Sequence, residues 1–108
     1  MLALCRVPGA KDVNHAQLVE NDTVAYLSSR ITSSVMKVRV GSDPPAPGRD
    51  SVGACAIEWS LGGADGNFTL VDERGARHAP GTQLLWHFQH NAEYFGEGLF
   101  LLVDNENR

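Results

Sequence analysis

A chain of 108 residues with 43% hydrophobic and 20% charged residues has the composition of one globular domain, 1–108, with enough interior to fold without a metal. Its formal net charge of -4, with Lys11 and Lys37 as the only lysines, excludes the clustered basic surface that nucleic-acid phosphates require. No apolar run approaches the roughly 20 residues of a membrane span.

The opening residues carry no basic n-region and only a short apolar run. The expectation is a soluble cytoplasmic protein without a membrane partner, in which Cys5 and Cys55 remain buried thiols.

In residues 12–33, Val24, Leu27, Ile31 and Val35 fall at i, i+3, i+7 and i+11 behind Asp22 as an N-cap, which predicts a helix in this region. Ser28, Ser29, Thr32, Ser33 and Ser34 oppose it, because short hydroxyl side chains compete for backbone hydrogen bonds. The rival is a hairpin turning at Asn21-Asp22.

Residues 35–40 read as a strand, and three prolines and two glycines make 41–51 a break that neither helix nor sheet can cross. Beyond it, apolar runs at 52–59, 68–72, 84–89 and 99–103 alternate with turn signals, Asp65-Gly66 among them. Residues 82–95 also fit a helix with Leu84, Leu85, Phe88, Ala92 and Phe95 on one stripe, capped by Gly96; aromatic content favours strand. The predicted fold is therefore α+β: an N-terminal helix packed on a five-stranded antiparallel meander sheet, with an all-β barrel or sandwich as the alternative.

Alternation sorts the strands into two faces. Met36, Val38, Cys55, Ile57, Trp59, Phe68 and Leu70 share a core side. Lys37, Arg39, Glu58, His87, Gln89, Phe100 and Leu102 share a mixed polar and apolar side. Apolar walls strengthen each polar group placed among them, so the mixed side is the candidate binding face.

His87, His90 and Glu93 form the one cluster with metal-ligand chemistry. The segment 81–98 loosely resembles the first cupin motif, in which a glycine precedes an H-x-H pair, a glutamate and a later glycine. Gly81 stands before His87, and Glu97-Gly98 precedes the last strand. Here the pair is H-x-x-H, Glu93 comes early, and no second motif follows, so no family is assigned.

Two functions remain open. The first is a self-associating binding protein, most simply a dimer, taking a small organic ligand or protein partner through Arg39, Glu58, His87, Gln89, His90, Glu93 and Tyr94, with no cofactor implied. The second is a small metal-dependent or acid-base enzyme using His87, His90 and Glu93.

Overall fold

The computed structural model describes residues 7, 10–21, 23–40, 55–81 and 85–104. Strands β1 (Val13–Val19), β2 (Val24–Ser29), β3 (Ser34–Arg39) and β4 (Ala56–Leu61) form one antiparallel sheet in the order β1-β2-β3-β4. Two hairpins follow, β5 (Leu70–Val71) with β6 (Arg77–His78), and β7 (His90–Gly96) with β8 (Leu99–Val103).

No helix occurs among the described residues, so the α+β expectation is corrected to an all-β fold. The region expected to be helical is the β1–β2 hairpin, with Val19 opposite Val24 and Gln17 opposite Tyr26. Its turn places Glu20 and Asn21 in the left-handed region, at φ 53° and 56°. The helical stripe was a coincidence of four residues. Valines, a tyrosine and serines suit a pleated, packed surface better than a helix.

The expected strand at 84–89 is also displaced. Residues 85–88 make bends, and β7 begins only at His90. The predicted strands at 35–40 and 99–103 correspond to β3 and β8, whereas 68–72 contracts to the two residues of β5. The break at 41–51 lies outside the described residues, as does the first part of the run at 52–59.

Every residue of β2 is buried, because this central strand is covered on both sides. On one side Ala25, Leu27, Met36, Val38 and Cys55 make an apolar core, with Val7, Ala10 and Val40 packed against it. On the other side the β7–β8 hairpin lies over the sheet and closes an aromatic cluster. Tyr26 stands 4.5 Å from Tyr94 and 5.2 Å from Phe100 between ring centroids, and Trp59 stands 5.9 Å from Phe100 and 5.4 Å from Phe68. Such tilted and edge-on contacts add to the area that aromatic side chains bury.

A bulge in β4 corrects the predicted faces. Lys37 pairs with Trp59 but Val38 pairs with Ile57, so Glu58 is the extra residue. One inserted residue reverses the parity of everything beyond it. Trp59 therefore joins Lys37 and Tyr26 beneath the hairpin, while Ile57 stays on the opposite side with Val38.

Cys55 is disulfide-bonded, which corrects its reading as a thiol; Cys5 lies outside the described residues. Among the described residues, no helix is long and apolar enough to cross a membrane.

Candidate functional site

The serines that argued against a helix at 28–34 build the busiest polar junction of the fold. Ser28, Ser29, Ser33 and Ser34 flank the β2–β3 turn and are all nearly inaccessible. The Ser29 hydroxyl donates to the Lys11 carbonyl at 2.8 Å and accepts from the Lys11 N–H at 2.9 Å. Its single proton is thereby used, so Thr32 donates to Ser29 at 2.7 Å and the Ser34 hydroxyl donates to Thr32 at 2.7 Å.

Residues 87–89 dock on this junction. The Phe88 N–H donates to Ser33 Oγ at 3.0 Å, and Phe88 adopts φ 50°, an unusual conformation for a bulky residue that the docking holds in place. The buried Gln89 amide donates to Ser28 Oγ at 2.9 Å and to the Ser34 and Ser29 carbonyls at 3.0 and 3.2 Å. Asn14 Nδ2 completes the clasp by donating to the Gln89 carbonyl at 2.9 Å.

At the end of β4 the chain passes through Gly62 and Gly63, at φ 80° and 76°. A Cβ on Gly62 would stand 2.5 Å from the Trp86 ring, and one on Gly63 would stand 2.5 Å from the Thr32 carbonyl oxygen. Only glycine permits this approach. Asn67 then acts as a short surrogate strand for Ser60, its side-chain oxygen accepting the Ser60 N–H and its own N–H donating to the Ser60 carbonyl, both at 2.8 Å.

Between the turn, the glycine loop and His87-Phe88 lies a cleft of about 540 Å³. Ile31, Met36, Ile57 and Phe88 supply apolar wall, Thr32, Ser34 and Ser60 supply hydroxyls, and Asp65, Asn67 and His87 also line it. Ser60 is only 6% exposed, and its Oγ is buried without a hydrogen-bond partner among the described residues, as is Nδ1 of His87. A buried polar atom left unpaired costs about 1–3 kcal/mol, and the two residues that carry these atoms both line the cleft. Other unpaired atoms, Asn14 Oδ1 and Gln89 Oε1, belong to the junction beneath β7 instead.

The residues singled out from sequence are dispersed. Arg39 Nη2 and Lys37 Nζ pair with the two oxygens of Glu58 at 2.7 and 3.2 Å, an ion cluster beside the aromatic face. The Glu58 carboxyl is held below the usual range, first by the Arg39 hydrogen bond and then by Lys37. His87 is on the cleft, Gln89 is a buried clasp, and Tyr94 is half-buried in the aromatic cluster. His90 and Glu93 are exposed on β7.

Gln17 holds the inner edge of that strand by a doubly bonded amide, accepting from the Tyr94 N–H at 2.8 Å and donating to its carbonyl at 3.1 Å. Among the described residues, no three His, Cys, Asp or Glu side chains gather as metal ligands, so His87, His90 and Glu93 are not brought together.

Sequence reasoning missed Ser34, Ser60, Met36 and Asn67 as cleft residues. The available signal was the hydroxyl run at 28–34 beside Gly62-Gly63, read in extended rather than helical geometry. No family model matches the chain, and no curated protein or solved structure is significantly similar to it.

Proposed function

We propose that this domain is a binding protein that takes a small, uncharged organic molecule with one hydrogen-bonding head group in the cleft beside the β2–β3 turn. The observation that carries the reading is the cleft itself, which Ser60, with a buried hydroxyl that has no hydrogen-bond partner among the described residues, lines together with Met36, Ile57 and Phe88. A cleft of about 540 Å³ falls within the range of small-ligand sites, and apolar walls with few polar groups are their usual chemistry. Ser60 Oγ can donate or accept, and His87, which also lines the cleft, carries a second ring nitrogen unpaired among the described residues.

No Lys or Arg lines the cleft among the described residues, and Asp65 adds negative charge, so anionic ligands are disfavoured. The Cys55 disulfide supports an oxidising compartment as the setting, in preference to the cytosol expected from sequence.

Amide chemical-shift mapping with phenol, indole and benzoate tests this reading. Phenol and indole should shift Ser60, Gly62, Gly63 and Phe88, benzoate should not, and Ser60→Ala should weaken phenol binding. Shifts scattered over the surface, or an unaltered response in the Ser60 variant, would remove the cleft as the site.

A further inference from the structure

Independently of the cleft, we infer that Asn21, at the tip of the β1–β2 hairpin, is an acceptor site for an N-linked oligosaccharide. The inference rests on the oxidising compartment that the Cys55 disulfide supports, because the secretory route that forms disulfides is also where this transfer takes place. Asn21-Asp22-Thr23 and Asn67-Phe68-Thr69 are the two tripeptides of the chain with an asparagine, a residue other than proline, and a hydroxyl two positions on. The fold treats them differently.

Glu20, Asn21 and Thr23 are all exposed, and the turn closes without help from the asparagine side chain. The Glu20 carbonyl accepts from the Thr23 N–H at 3.2 Å and from the Thr23 hydroxyl at 2.6 Å. The Thr23 carbonyl accepts from the Val40 N–H at 2.9 Å, which ties the turn to the end of β3. Asn21 has φ 56°, a left-handed conformation that asparagine tolerates better than most residues. Its side-chain amide enters no hydrogen bond among the described residues. A bulky hydrophilic group on Nδ2 therefore displaces no contact of the described fold.

Asn67 is already engaged. Its side-chain oxygen accepts the Ser60 N–H at 2.8 Å, and the residue lines the cleft. β2 runs six residues from the β1–β2 turn to the β2–β3 turn, which sets Asn21 roughly 20 Å from the cleft end of the sheet. An oligosaccharide on Asn21 leaves the cleft open, whereas one on Asn67 would stand at it.

The donor is a polyprenyl-diphosphate-linked oligosaccharide. Nδ2 of Asn21 attacks C1 of its first sugar, the C1–Nδ2 bond forms, and the bond from C1 to the diphosphate oxygen breaks. The lipid diphosphate leaves with the electron pair, and Nδ2 gives up one of its two protons to a base of the transferase. No oxidant or reductant is consumed. The Thr23 hydroxyl is the group the transferase reads beside the amide.

Mass spectrometry of the full chain recovered from its own organism, as intact protein and as glycopeptides, reads the outcome, with thiol alkylation reporting the compartment. The expected result is an oligosaccharide on Asn21, removed by peptide-N-glycosidase with conversion of that asparagine to aspartate, on a chain whose Cys55 resists alkylation. Thr23→Ala should abolish the modification although Asn21 is intact, Thr23→Ser should retain it in part, and Thr69→Ala should leave it unchanged. An unmodified Asn21 on a chain with oxidised Cys55 would overturn the inference and leave the compartment standing. An unmodified Asn21 with alkylated Cys55 would remove both. Modification of Asn67 alone, or of Asn21 in the Thr23→Ala variant, would likewise overturn it.

Discussion

Gln89 is the residue through which the hairpin segment grips the sheet, and substituting it separates hydrogen bonding from space filling. Its side chain is fully buried, and two carbonyl acceptors, on Ser29 and Ser34, fix which end of the amide is nitrogen. An amide nitrogen has two protons, so the three contacts share them and amount to about two net hydrogen bonds, or roughly 2 kcal/mol. Against this, Gln89 Oε1 is buried without a partner among the described residues, and removing it relieves part of that sum. Gln89→Met, similar in volume and without donors, should therefore destabilise the fold by about 1–2 kcal/mol. In a domain of this size that corresponds to a melting temperature lower by roughly 5–15 °C.

Gln89→Glu keeps the shape but turns acceptors toward the two carbonyls. It must bury a charge or bind a proton, and should cost more than about 3 kcal/mol at neutral pH. Urea unfolding monitored by tryptophan fluorescence measures both variants under common conditions. A Met variant within about 0.5 kcal/mol of wild type, matched by the Glu variant, would show that Gln89 merely fills space and would refute the clasp.

Gly62→Ala should be distinctly worse than Gly75→Ala. Both positions have positive φ and share a strain of about 1–2 kcal/mol, but only at Gly62 does the new methyl strike the Trp86 ring and the Ser33 carbonyl, which thermal melts of the two variants will rank. The Asp72 carboxyl is held below its usual value, first by the His78 hydrogen bond and then by the Ala76 N–H. Its ionised form is the one the β5–β6 hairpin holds, so this stabilisation is complete above the unfolded pKa near about 4 and is lost as pH falls through the lower folded value. A carboxyl-carbon titration of Asp72 with a midpoint at or above about 4 would contradict the arrangement.

Some features are legible in the residues without any fold. Short apolar runs bounded by turn residues mark 35–40 and 99–103 as strands, a local signal that needs no partner to be legible. The net charge of -4 and the scarcity of lysine are equally legible without a fold.

Tertiary structure decided the rest. Residues 12–33 have local tendencies for both helix and hairpin, and the choice fell to packing. Tyr26 gains Trp59, Tyr94 and Phe100 as neighbours only when β2 is a central strand. The bulge at Glu58 has no signature in composition, yet it places Trp59 on the face of Lys37 and Tyr26 and not on that of Ile57. Gln89 and Ser60 are 29 positions apart in the chain. One is consumed by serines from β2 and β3, and the other lines the cleft with a buried hydroxyl unpaired among the described residues. Which polar group is satisfied and which is not depends on contacts distant in sequence. Those contacts exist only once the hairpin has docked on the sheet.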